Sequence, residues 1–498
     1  MVPLARMIAV RFWMQRMRGL LLAKVMPGLK VDDASRGNLQ PFRNFRIPGC
    51  LMACDPFEIC NFKVAVSVPA AERFAHWSGE RCATQRIHAE RSFGRVGPYL
   101  PVWWCALNWG DRFCKMNNIS AAALGCLLAI TVLTSRAGEL LQPAGPTLRS
   151  VYQDSFLIGV ALDHSQVSGQ NSAAAALAAR QFSAVTAENH MKWEAVHPQP
   201  GEYRFDAADD YIRFAEENDM KVIGHTLVWH SQTPDWVFQG PEGREATREE
   251  LLARMKEHIM TVAGRYKGRI HGWDVVNEAL SDSGSDILRD SPWRRIIGDD
   301  FIDHAFRFAR EAAPDAELYY NDYGLEDPRK RANCLKLVAG LIERGVPIDG
   351  IGTQSHFQLD YPSADEIEKT IEEFAALGLK VMVTELDVDV LPNRSHEGAD
   401  IALRRDEDDR ALDPHTDGLP EEMQGRLARR YADLFRIYLS RSDSIARVTF
   451  WGLDDGSTWL NNFPIRGRTN HPLLFDRRLE QKPAFFAVQD PRSVAGAP

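Results

Sequence analysis

The chain has 498 residues, 45% hydrophobic and 26% charged, which is enough apolar material for a large buried core. Residues 1–115 hold 17 Lys and Arg against 8 Asp and Glu, leaving 42 against 60 in the remainder, and so acidic a body argues against nucleic acid as a partner. Cys50, Cys54, Cys60, Cys82, Cys105, Cys114 and Cys126 all precede residue 138, so the lone Cys334 behind them cannot supply an intrachain disulfide to the body.

The first 137 residues do not read as part of a fold. Residues 1–115 carry 5 of the 12 Trp and no sustained helical or strand period. Cys50, Cys54 and Cys60 lack zinc-ligand spacing and a His pattern to match. Residues 119–133 are small and apolar, too short a run for a comfortable membrane span, and Ser135-Arg136-Ala137 follows with the small residues that signal peptidase requires. Residues 116–137 therefore read as a secretory signal peptide, with Gly138 as the mature start and residues 1–115 as a start-site overcall. The stretch Met116-Asn117-Asn118-Ile119 is uncharged while Arg112 and Lys115 lie just upstream, so a start near Leu107 is the alternative. Cys126 follows Leu124-Gly125 as in a lipoprotein signal, but the apolar run continues past it. The expectation is an exported protein, periplasmic or secreted, with no membrane partner once mature, and a monomer.

From residue 151 strand and helix patterns alternate. Apolar runs at 156–160, 182–186, 221–224, 272–276, 318–320, 350–353, 381–384 and 447–451 predict eight strands. Helical periods lie between them at 206–218, 251–266, 301–312, 329–344, 365–377 and 421–439, with Pro314 and Gly378 as stops. Eight such units predict an α/β protein, a (β/α)8 TIM barrel over 138–498, with a doubly wound open sheet as the alternative. No GxGxxG follows the first strand, so a dinucleotide site lacks its fingerprint. Residues 393–420, rich in Asp, Glu and Arg, read as a solvated loop after the seventh strand.

The ends of the strands carry the functional signal. Six of them run into polar and aromatic residues: Glu188-Asn189-His190-Met191-Lys192-Trp193, His225 with Trp229, Asn277-Glu278, Gln354-Ser355-His356, Glu385-Leu386-Asp387, and Trp451 with Trp459 beyond it. In a parallel barrel such ends converge on one rim, where chemistry is done. Glu278 and Glu385, each closing an apolar strand, are a carboxyl pair of the kind that cleaves a glycosidic bond, one protonated and one ionised. Asn277 could meet a sugar hydroxyl, and His356, oriented by Asp387, could hold the ionised Glu385. Trp229, Trp451 and Trp459 offer flat faces for a pyranose, and Glu188, Asn189, Lys192 and Gln354 offer hydrogen bonds to its hydroxyls. There is no HExxH and no clustered metal-ligand pattern, and hydrolysis requires neither metal nor cofactor.

These motifs, in this order, resemble glycoside hydrolase family 10, the endo-β-1,4-xylanases, from Leu148 to Val488. The matching stretches are Glu188 to Trp193, Gly224 to Pro234, Trp273 to Ala279, Gln354 to His356, Thr384 to Asp387, and Thr449 to Trp451 followed by Trp459. The resemblance implies hydrolysis of xylan or xylo-oligosaccharides with retention of configuration through a covalent glycosyl-enzyme. It assigns Glu278 as acid/base and Glu385 as nucleophile. It also places Glu188, Asn189, Lys192, His225 and Trp229 on the glycone side, with Gln354, Trp451 and Trp459 lining the cleft. Asn277 and His356 would flank the reacting sugar and the nucleophile, with Asp387 behind His356. Two alternatives stay open at this stage: a β-1,4-glucan or mannan substrate, and a sugar-binding protein on an inactive barrel.

Overall fold

The computed structural model describes residues 46–47, 50–51, 145–392 and 410–495. Residues 116–137, expected from sequence to be a signal peptide, and residues 1–115 apart from one pairing of Arg46–Ile47 with Cys50–Leu51, lie outside the described residues.

Eight strands make up the barrel: β1 (Leu157–Leu162), β2 (Ala184–Ala187), β3 (Lys221–Trp229), β4 (Gly272–Asn277), β5 (Glu317–Asp322), β6 (Gly350–Thr353), β7 (Lys380–Asp389) and β8 (Ile445–Phe450). Each is parallel to the next, and β8 pairs with both β7 and β1, so the sheet closes as the TIM-barrel reading required. The strands are buried on both faces, and all six residues of β4 are buried, which is why the strand centres read as short apolar runs. Packing is close enough that Gly224 admits no side chain: a Cβ there would lie 2.1 Å from the buried Trp273 ring.

One long helix follows each strand: α1 (Ser172–Gln181), α2 (Asp206–Glu217), α3 (Arg248–Arg265), α4 (Phe301–Ala312), α5 (Pro328–Glu343), α6 (Ala364–Ala375), α7 (Glu421–Ser440) and the shorter α8 (Pro483–Gln489). Their inward stripes follow helical spacing, as in α4, where Phe301, Ile302, Ala305, Phe306, Ala309 and Ala312 are buried. Local chemistry sets the starts. Thr247 and Glu250 exchange hydrogen bonds in a capping box before α3, and Asp327 caps α5 ahead of Pro328. At the base, Tyr152 Oη donates to the Val488 carbonyl at 2.5 Å and clasps the chain before β1 to α8.

The strand ends depart from the sequence expectation. β3 and β7 run to Trp229 and Asp389, not 224 and 384, because their polar residues stay extended and find partners on other elements at the barrel mouth, as His225 does with Asp274 and Asp387 with His356. Register shifts fall at these ends, between His225 and Val228, Asp274 and Val276, and Val383 and Leu386. Such bulges re-aim side chains that strict alternation would send outward. A short strand, His356–Gln358, extends the β7 edge by pairing with Asp387–Asp389. Of the expected solvated loop, residues 393–409 lie outside the described residues. The part that follows is mostly exposed, as expected, but is anchored at three points: Leu412 is buried, Asp413 Oδ1 accepts from the Thr469 N–H, and the His415 carbonyl contacts His471 Nε2.

Candidate active site

At the C-terminal mouth of the barrel lies a cleft of about 440 Å³. Its walls include Glu188, Asn189, Lys192, His225, Trp229, Asn277, Glu278, Gln354, His356, Glu385, Trp451 and Trp459, so the structure brings together every residue singled out from the sequence except Asp387. Asp387 lies behind the wall, 1% exposed, where its Oδ2 contacts His356 Nδ1 at 3.1 Å and accepts from Trp459 Nε1 at 2.8 Å.

Glu278 follows β4 in the left-handed region (φ 57°), unusual for a residue with a Cβ, and this turn lets neighbouring Asn277 and Glu278 both reach the cleft. Its Oε2 accepts from Trp229 Nε1 at 2.8 Å, and its Oε1 accepts from Gln354 Nε2 at 2.9 Å and Asn277 Nδ2 at 3.2 Å. Burial, the Asp322 carboxylate and the Glu385 charge push its carboxyl above the usual range, against the hydrogen bonds from Gln354 and Trp229.

Glu385, only 5% exposed, is held the other way. Asn321 Nδ2 donates to its Oε1 at 2.8 Å, and His356 Nε2 lies 3.2 Å from its Oε2. Burial alone would raise its carboxyl, but the hydrogen bond from His356, the nearby His225 and His356 rings, and the Asn321 amide together bring it below the ordinary range. His356 in turn is raised to about 10: burial opposes its charge, and Asp387 and Glu385 overcome that opposition. The two carboxyls thus occupy one cleft with their proton affinities shifted in opposite directions.

A chain of amides joins them. Asn321 Nδ2 also donates to Asn277 Oδ1 at 2.8 Å, and its own Oδ1 accepts from Thr384 Oγ1 at 2.7 Å. The amides of Asn277 and Gln354, expected from sequence to meet sugar hydroxyls, are therefore engaged with Glu278. On the opposite wall Lys192 Nζ donates to Asn189 Oδ1 at 2.9 Å and Gln232 Oε1 at 2.8 Å, 5.0 Å from the centre of the Trp229 ring. Glu188 beside it is raised by burial, which outweighs the Lys192 charge. Trp459 stacks on Phe463 at 5.4 Å, and Trp451 meets His225 edge-on at 5.2 Å. Buried Asp274 holds His225 Nδ1 at 2.9 Å.

Sequence reasoning passed over Asn321 and Asp322, although Leu318-Tyr319-Tyr320-Asn321-Asp322 repeats the apolar-then-polar pattern that marked Asn277-Glu278. It also passed over Asp274, Gln232, Arg289, Tyr323 and Phe463. Asp274 could have been found as a lone charge within an apolar strand; Arg289 and Phe463 come from loops with no such signal.

The profile of glycosyl hydrolase family 10 matches residues 147–491. Endo-1,4-beta-xylanase A of Xylanibacter ruminicola is 46% identical over 339 residues, 68% of this chain and 91% of that protein. A beta-1,4-xylanase of Dictyoglomus thermophilum is 43% identical over 366 residues, 73% and 97% of the two chains. Among solved structures, a GH10 endoxylanase from a sugarcane soil metagenome superposes with a TM-score of 0.65 at 47% identity, covering 69% of this chain and 98% of its own. Xylanase XynB from Paenibacillus barcinonensis, solved with a conduramine derivative, gives 0.63 at 42% identity, covering 70% and 100%.

Proposed function

This chain belongs to glycosyl hydrolase family 10 and is a glycoside hydrolase, and from that premise we propose that it cleaves internal β-1,4 bonds of xylan with retention of configuration. The observation that carries the reading is the carboxyl pair facing one cleft, with Glu278 pushed toward its protonated form and Glu385 toward its ionised form by their different neighbours. Glu385 attacks the anomeric carbon as the bond to the leaving oxygen breaks, and the Glu278 proton passes to that oxygen. The leaving chain departs with its new hydroxyl, and the glycone stays as an ester on Glu385. Glu278, now a carboxylate, takes a proton from water as its oxygen attacks the same carbon, and Glu385 leaves with the electron pair.

The lining supports a sugar substrate. Trp229, Trp451 and Trp459 give apolar faces, and Glu188, Asn189, Lys192 and His225 give donors and acceptors for the glycone. His356 and Asp387 keep Glu385 charged between turnovers, and Asn277 and Gln354 steady Glu278. Export rests on the sequence of residues 116–137 alone.

The test is hydrolysis of β-1,4-xylan beside β-1,4-glucan, with product anomers followed by proton NMR. Xylo-oligosaccharides of several lengths should appear first as the β anomer. Glu385→Ala should lose roughly 10⁴-fold or more, and Glu278→Ala about 10²- to 10⁴-fold on unactivated substrate. Preferential cleavage of glucan would overturn the substrate, first release of the α anomer would overturn retention, and no cleavage by folded protein would leave a sugar-binding barrel.

A further inference from the structure

A buried cation close behind the acid/base has no part in the steps above. Lys330 lies in the first turn of α5 and is 2% exposed. Its ammonium is 2.9 Å from Asp282 Oδ1, 3.0 Å from Asp322 Oδ1, and 3.4 Å from the centre of the Tyr323 ring. The positive pole of a helix disfavours a cation, and a buried ammonium is costly unless paired, so neither α5 nor the core accounts for a lysine here.

The backbone around Glu278 does account for it. That residue sits in a left-handed conformation that the surroundings must hold. The Glu278 N–H donates to the Asn321 carbonyl at 2.8 Å, the Ala279 N–H to Tyr320 Oη at 3.1 Å, and the Leu280 N–H to Asp322 Oδ2 at 3.1 Å. Arg289 Nε donates to the Glu278 carbonyl at 3.3 Å, and Arg289 Nη2 donates to Asp282 Oδ2 at 2.6 Å. Asp322 thus grips the chain after Glu278, Asp282 grips the arginine that grips Glu278 itself, and Lys330 is the counter-ion shared by both aspartates.

We propose that Lys330, which lies outside the cleft wall, is a positioning residue for the acid/base: by fixing Asp282 and Asp322 it holds the turn that aims Glu278 into the cleft. The inference rests on the reading of Glu278 as acid/base. Lys330 is faced by Asp322 of β5, Tyr323 beyond that strand, Asp282 after β4 and His230 after β3, with Glu326 and Cys334 flanking it before and within α5, while Tyr320 and Arg289 bond to its two aspartates. The Glu278 carboxyl is faced by Asp322, by Glu385 of β7 and by Lys192 after β2. Without Lys330 the aspartate charge beside Glu278 loses its nearest cation and is left only to the more distant influence of Arg289, so Glu278 keeps its proton to higher pH.

The experiment compares two aryl β-xylobiosides on the full chain. A dinitrophenyl leaving group departs without a proton, whereas phenol needs one. Lys330→Met should lose about 10- to 100-fold in kcat/KM on the phenyl substrate, stay within about threefold of the parent on the dinitrophenyl substrate, and move the alkaline limb of kcat/KM up by about half to one pH unit. If Lys330→Met does not fold, Asp282→Asn loosens the same clamp, and it should show the same split between substrates. Equal losses on both substrates, or an unchanged phenyl rate and alkaline limb, would overturn the positioning role. Glu278→Ala separates the two readings. If it spares the dinitrophenyl substrate while Lys330→Met behaves like the parent, the inference alone fails. If it loses both substrates alike, the acid/base assignment fails and takes the inference with it.

Discussion

At the scale of single residues, the amide of Asn321 does more than its silence in the sequence suggested. It is wholly buried, and its one nitrogen serves both Glu385 Oε1 and Asn277 Oδ1. Asn321→Ala would leave a buried carboxylate oxygen without its donor, a loss of about 1.5–3 kcal/mol, which corresponds to roughly 10- to 100-fold in kcat/KM. Because that hydrogen bond helps keep Glu385 below its ordinary range, removing it raises Glu385, and the acid limb of kcat/KM should move to higher pH. A pH profile of the variant with an unmoved acid limb would show that the amide only fills space. Most of this site was legible because chemistry and side-chain type coincide: Glu278, Glu385, His356 and the tryptophans are conspicuous at the ends of apolar runs. Asn321 and Asp274 were missed for the opposite reason. They act on other side chains, and their roles emerge only when neighbouring strands lie side by side.

At the scale of elements, the strand cores were readable and their ends were not. Continuous apolar runs say where extended backbone must be buried, but β3 and β7 continue for five residues each past the predicted ends because polar partners arrive from other elements. The bulges that turn those ends inward leave no mark on composition. Gly352 shows how tightly the ends are fitted. A Cβ at this position of β6 would fall 2.5 Å from Asn321 Oδ1 and 2.7 Å from Thr384 Cγ2. Gly352→Ala should therefore push Asn321 off Glu385, with a fall in kcat of about tenfold or more against little change in KM, and a stability loss of about 1–3 kcal/mol from overpacking. Steady-state kinetics beside a denaturation curve would check both, and an unchanged kcat in a destabilised variant would count against the coupling.

At the scale of the whole molecule, the (β/α)8 architecture was legible from eight alternating patterns, and closure follows from the pairing of β8 with β1. Stability should carry an acid-side limit unrelated to catalysis. His197 and His258 lie with their Nδ1 atoms 3.3 Å apart in the core, and His258 stacks on Trp193 at 3.6 Å. Burial lowers His197 to about 4 and, with the His197 charge, holds His258 well below its ordinary value. The unfolded chain takes up these protons first, so stability is full above about pH 6.5 and is lost as pH falls toward 4. Tm should drop by at least a few degrees, about 2–4 °C per kcal/mol, over that window. His258→Phe, which keeps the stack, should flatten the drop, and equal slopes for variant and parent would sink the assignment. The clasp between Tyr152 and Val488 has a different consequence. It gathers the chain before β1 and the last helix at the base, while every strand points its working end the other way. A support or tether attached past α8 would therefore hold the barrel by its floor, leaving the mouth open to a polymer chain too long to turn around.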